Sequence, residues 1–170
     1  MSSSVRVFAF TFLLLAVTVG AASAQPDRGG FTLLVNMGVG VQSDSAVEET
    51  AVGLGGLNAG AGGFVTPQLA ILGRVSGTFV SYDLFDQSSA VIGPTIQFWP
   101  NNRFSVEAGA GVGSWRAEDV TERGLGLILG MGVSVFQRGK HNLAFGIEYA
   151  PVFTDDPVHN FGFTFGYQLF

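Results

Sequence analysis

The sequence predicts an all-β protein: an eight-stranded antiparallel up-and-down transmembrane β-barrel preceded by a cleavable signal peptide. Three observations predict it. Apolar residues alternate with small or polar ones through eight successive segments, the period of a strand with one greasy face. The connections between those segments alternate in character, tight turns at one end and acidic loops at the other. A short positive and apolar leader opens the chain, as in exported proteins.

The leader is residues 1–24. Arg6 supplies a positive start, Val7 to Val19 an apolar run, and Ala22-Ser23-Ala24 the small-x-small pattern read by signal peptidase, which makes Gln25 the new N-terminus. The domain that follows spans residues 25–170. Asp27 to Gly30 is a short lead-in. The eight segments are then Phe31–Gln42, Thr50–Val65, Leu69–Tyr82, Ser88–Trp99, Arg103–Arg116, Gly124–Phe136, Asn142–Phe153 and His159–Phe170. Each is about long enough to cross a bilayer as a tilted strand of ~9–11 residues. The uncharged run Thr50–Gly73 is too rich in glycine, and too interrupted by Pro67, to be a membrane helix.

The tight turns are Thr66–Gln68, Pro100–Asn102 and Gln137–His141. The loops are Ser43–Glu49, Asp83–Gln87, Ala117–Arg123 and Thr154–Val158, and they hold ten of the thirteen acidic residues, so the two ends of the molecule carry unlike charge. An even strand number with unlike ends fits an up-and-down barrel. The net charge of −5 excludes nucleic acid as an expected partner. With no cysteine, disulfides and thiol chemistry are excluded as well.

The direction of the alternation decides the class. One face of the strands collects Phe31, Leu33, Val35, Met37, Val39 and Val41, then Leu69, Ile71, Val75 and Phe79, then Leu125 to Val135 at every second position, then Phe161 to Leu169 likewise. The other face is small or polar: Asn36, Gly38, Arg74, Ser76, Gly130, Thr164, Gln168. Eight strands enclose only enough room for side chains to fill. A lipocalin-like arrangement would force the bulky set inside, where it does not fit. The bulky set therefore faces out, against lipid. Aromatics near the strand ends are expected to form two interfacial girdles: Tyr82, Trp115 and Phe153 toward the acidic end, and Trp99, Phe104, Phe136 and Tyr167 toward the turn end.

A signal peptide, eight alternating strands and the closing FGFTFGYQLF, Phe161 to Phe170, together resemble the small outer-membrane β-barrels of the OmpA-transmembrane, OmpX and opacity-protein class. The resemblance covers the whole mature chain. It implies a bacterial outer-membrane location, periplasmic turns, external loops and a monomer. The expected partners are membrane lipid, lipopolysaccharide and the outer-membrane assembly machinery, the last through a C-terminal signal formed by Phe163, Phe165, Tyr167 and Phe170. Phe170 itself falls out of phase with the aromatic row before it.

Counting from the turns, Arg74 lies six residues past Gln68, Glu107 five past Asn102 and Glu148 seven past His141, all on the small-and-polar face. At ~3.3 Å per residue and a tilt near 40° they share one depth, close to mid-membrane. Asn36 occupies the same level of the first strand. These four residues are expected to form a charged cluster inside the barrel, because Arg74 facing lipid would cost ~2–4 kcal/mol. The expected role is structural or surface-associated, with a polar-plugged lumen. A narrow pore gated by Arg74, Glu107 and Glu148 is one alternative, and a lipid A-modifying enzyme another. His141 and His159 lack a serine partner in a deacylase-like spacing, Asp155-Asp156 reads as a solvated rim rather than a cation site, and the glycine clusters match no nucleotide loop. No catalytic residue, cofactor or metal site is therefore expected.

Overall fold

The computed structural model describes residues 28–44, 49–81, 86–117 and 120–170. Residues 1–27, where the signal peptide is expected, Tyr82 and parts of three acidic loops lie outside them. Among the described residues the elements are β1 (Gly30–Asp44), β2 (Glu49–Thr66), β3 (Leu69–Ser81), β4 (Asp86–Phe98), β5 (Phe104–Ala117), β6 (Val120–Arg138), β7 (His141–Tyr149), β8 (Val152–Phe153) and β9 (Val158–Leu169). The ladders are antiparallel and run in chain order, and β1 also pairs with β9, from Leu33↔Leu169 to Asp44↔Val158. That last ladder closes the sheet into a ring without free edges, the condition for a sheet to sit in hydrocarbon.

β7 and β8 are two parts of one barrel strand, so the ring has the eight expected staves. The interruption is at Ala150–Pro151, where proline cannot donate to a ladder. Hydrogen bonds still span the break: Ala150 N–H donates to Asn160 O at 2.9 Å, and Leu127 N–H donates to Pro151 O at 3.1 Å. β8 then resumes the pairing with β6 through Leu125↔Phe153 and Gly126↔Val152. The sixth strand starts earlier than its apolar pattern, at Val120, because Thr121, Glu122 and Arg123 continue the ladder opposite Arg116, Trp115 and Ser114.

The bulky row is outside. Phe31, Leu33, Val35, Met37 and Val39 are exposed, as are Ile71, Val75 and Phe79, and Phe161, Phe163, Phe165 and Tyr167. The inward row is buried and largely polar, including Thr32, Gln42, Asn58, Arg74, Ser76, Thr95, Gln97, Asn142, Glu148, Asn160 and Gln168. A β-bulge between β1 and β2 governs part of this row. Asn36 faces Asn58 but Gly38 faces Gly55, so Gly56 and Leu57 oppose Met37 alone. Gly56 holds φ at +60°, and a Cβ there would stand 2.2 Å from Thr164 Cγ2, so glycine is required twice over. The extra residue flips the phase of β2. Val52 and Leu54 point outward before the bulge, and Asn58 points inward after it.

The tight turns are shaped by local bonds. Asn101 Oδ1 accepts from Arg103 N–H at 2.9 Å and from Phe104 N–H at 2.8 Å, an Asx-type turn that starts β5. The β6–β7 turn uses Gly139 at φ +58°.

Candidate functional site

Arg74 on β3 sits between two carboxylates on staves across the lumen. One guanidinium nitrogen meets Glu107 Oε2 on β5, and the other meets Glu148 Oε2 on β7 at 2.5 Å. Glu148 is the hub. Its Oε2 also accepts from Asn58 Nδ2 at 3.0 Å, and its Oε1 accepts from Ser76 Oγ. Glu107 receives a longer bond from Gln97 Nε2 at 3.4 Å. The side chains of Arg74 and Glu148 are 2% and 5% exposed, so these are charge-assisted bonds in a dry setting, where they are short and strong. One arginine against two glutamates leaves a formal surplus of one negative charge, and the donors of Asn58, Ser76 and Gln97 are what face it.

Below this layer, toward the tight turns, the lumen is closed by polar pairs and then by aromatics. Gln168 Nε2 donates to Gln97 Oε1 at 2.7 Å and to Thr32 Oγ1 at 3.1 Å, and Thr32 Oγ1 donates to Leu169 O at 2.6 Å. Trp99 and Phe170 follow, edge to face at 5.4 Å, with Phe64 against Phe170 at 5.7 Å. Arg28 lies across them. Its guanidinium carbon is 4.0 Å from the Trp99 ring centre and 5.0 Å from that of Phe170, and Nη2 donates to Asn102 O at 2.8 Å. Burial lowers the Arg28 pKa to about 10, which still leaves it charged at neutral pH.

Above the charged layer, Val91, Ile128, Ala150 and Val152 form an apolar cluster. Beyond it, Gln42 Nε2 donates to Gln87 Oε1 at 2.5 Å and Ser89 Oγ to Asn160 Oδ1 at 2.9 Å. A cavity of about 30 Å³ remains beside Arg74, Glu107, Glu148, Asn142 and Trp99, room for a water or two.

The structure thus brings Arg74, Glu107 and Glu148 together. Asn36 borders the same cavity, but its cross-strand partner Asn58 is the amide bonded to Glu148. Asn58 carried no usable sequence signal, since an unbroken alternation through β2 puts it on the face of Val52 and Leu54. Of the residues expected in the girdles, Phe136, Phe153 and Tyr167 are exposed on the outer wall. Three are placed differently. Trp99 is 1% exposed and turned into the lumen, in phase with Gln97 rather than with outward Phe98. Trp115 shares the inward phase of Glu107 and Gly113, and its Nε1 donates to Gln87 Oε1 at 3.5 Å. Phe104 is buried at the turn where Asn101 starts β5. In the C-terminal group, Phe163, Phe165 and Tyr167 face out, whereas Phe170 lies inside against Trp99. The two histidines pair with tyrosine hydroxyls, His141 with Tyr167 at 2.6 Å and His159 with Tyr149 at 2.7 Å.

A closed eight-stranded ring with a bulky apolar exterior and a filled polar interior defines the fold class of small transmembrane β-barrels. Known structures agree. Neisserial surface protein A superposes with a TM-score of 0.65 at 18% identity, over 82% of this chain and 96% of that one. Ail, the attachment invasion locus protein of Yersinia pestis, solved with the heparin analogue sucrose octasulfate, gives 0.55 at 13% identity, over 84% and 99%. At these identities the likeness is one of fold. No protein-family model matches the chain, and no curated protein sequence does.

Proposed function

We propose that this chain is an integral barrel of a bacterial outer membrane with a structural, surface-associated role and a closed lumen. The inversion of the wall carries the reading. Phe163 is 68% exposed, Met37 63% and Val52 65%, while Arg74 is 3% exposed; only a lipid environment makes that distribution favourable. The outward row of Phe163, Phe165 and Tyr167 on β9 is the part offered to the assembly machinery. The reading includes no catalytic step. It does not extend the polysulfate ligand of Ail to this chain either, because ten of its thirteen acidic residues lie in the loops, where they would repel a polyanion.

The test is extraction of the membrane fraction followed by electrophoresis in SDS with and without boiling. A compact unboiled form that shifts on heating is expected. Recovery as freely water-soluble protein would sink the reading. The second reading, an ion path gated by Arg74, Glu107 and Glu148, draws on the cavity beside Glu107. The stoppers on either side favour the plug. Planar-bilayer recordings separate the two: reproducible openings altered by Glu107→Gln would favour the pore.

A further inference from the structure

The charged layer of the lumen is one positive charge short, and the two carboxylates do not share the shortfall evenly. Glu148 is well supplied, because Arg74, Asn58 and Ser76 all donate to it. Glu107 meets Arg74 and otherwise takes only the long bond from Gln97 at 3.4 Å. The uncompensated charge therefore sits at Glu107, which lines the cavity of about 30 Å³. Arg28 does not reach it: that side chain lies on the turn-end side of the Trp99 ring and is not part of the cavity lining.

A second, independent feature points into the same space. Asn142 lines the cavity and is 1% exposed, yet its Oδ1 has no hydrogen-bond partner. A buried acceptor left bare is costly, so something should meet it. Asn142 stands opposite Gln168 in the β7–β9 ladder, Gln168 bonds Gln97, and Gln97 bonds Glu107. The bare amide oxygen and the under-supplied carboxylate are thus the two ends of one side-chain chain around the cavity. Asn36 also lines it, with Oδ1 lying where a Cβ on Gly166 would stand. On the turn-end side, Trp99 Nε1 is a buried donor without a partner.

Charge, size and donor set together select the occupant. The cavity has room for about two water-sized particles. Water alone would satisfy Asn142 and Trp99 but would leave the charge unmatched. A divalent cation would overshoot the single charge and requires ~6–8 oxygens. We propose that the lumen binds one monovalent cation of sodium's size, held by the Glu107 carboxylate and the amide oxygens of Asn142 and Asn36, together with one water that accepts from Trp99 Nε1. Arg74 does not expel it, because Arg74, Glu107 and Glu148 together sum to one negative charge. Two of the three cation ligands are amides, which is why no acidic motif marks the site in the sequence. The proposal rests on the membrane and closed-lumen reading above and goes beyond it by assigning the lumen a ligand.

The test is denaturant unfolding of the full barrel in lipid vesicles while Na⁺ is exchanged for choline at constant chloride and ionic strength. Choline is too large for the cavity. Once Na⁺ exceeds its dissociation constant, each tenfold rise should favour the folded state about tenfold, the slope of one bound ion. Glu107→Gln, which removes the surplus charge, should flatten that slope. Asn142→Ala keeps all three charges and should raise the Na⁺ concentration needed by about tenfold. The loop control D155N/D156N should respond as the parent does. Equal stability in Na⁺ and choline, an unchanged slope in Glu107→Gln, or a lost slope in the loop control would each overturn the site. The SDS heat shift and a planar-bilayer trace are recorded on the parent. A heat shift and a silent bilayer together with indifference to Na⁺ sink this inference alone, whereas a missing heat shift or reproducible openings sink the reading beneath it.

Discussion

Among the described residues two arginines are buried, Arg28 and Arg74, and they are accommodated by different chemistry. Arg74, at the centre of the lumen, faces two carboxylates. Arg28, at the turn end, has no carboxylate contact among the described residues. It lies over Trp99 and Phe170 and bonds the backbone carbonyls of Asn101 and Asn102. The first solution binds a cation strongly but commits two further charges to the interior, which is worthwhile only while all three are present. The second uses ring quadrupoles and carbonyl dipoles, each contributing less, and leaves no stranded anion if the cation goes. The centre should therefore be brittle and the turn end tolerant.

Four single variants and one triple variant probe that contrast, each read as an unfolding free energy by denaturant titration of barrels folded into lipid vesicles. Arg74→Met should have the largest effect, a loss of about 3–5 kcal/mol, because Glu107 and Glu148 are left facing one another. Adding Glu107→Gln and Glu148→Gln to it should recover much of that loss. If the triple variant is no better than the single one, lost packing rather than stranded charge explains the damage. Asn58→Ala should cost about 1.5–3 kcal/mol, the range for a hydrogen bond to a charged acceptor, and a negligible change would remove Asn58 from the cluster. For Arg28→Ala a loss of about 1–2 kcal/mol is expected from the ring contacts and the two backbone bonds, one of them long; a loss matching that of Arg74→Met would erase the contrast between the two ends. Arg28→Lys keeps the charge over Trp99 and gives up the fork, so it should be the mildest, at under about 1 kcal/mol.

Much of this architecture was legible in the sequence because a strand has a period of two and a barrel has only two faces. Phase alone puts Phe163 outside and Arg74 inside, and distance from the turns puts Arg74, Glu107 and Glu148 at one height. The expectations that fail do so for separate reasons. Residue type points Trp99 and Trp115 to the interface, whereas strand phase places them with Gln97 and Glu107. Asn58 was hidden for the opposite reason: phase itself changes at Gly56, and a bulge made of glycines leaves no mark in a sequence already crowded with them. Arg28 gives no sequence signal because it precedes the first strand, in a lead-in with no periodicity to give it a direction.

The closing ladder has a consequence for biogenesis. β9 bonds β7 on one side and β1 on the other, and it comes after both in chain order. Until it arrives, two rows of amide and carbonyl groups have no mate, and the first stave must wait for the final one to be synthesised. Insertion stave by stave would drag those open rows into oil. The chain must instead be kept unfolded in transit and committed to the bilayer as a single concerted act, so a copy lacking β9 should be degraded rather than stored.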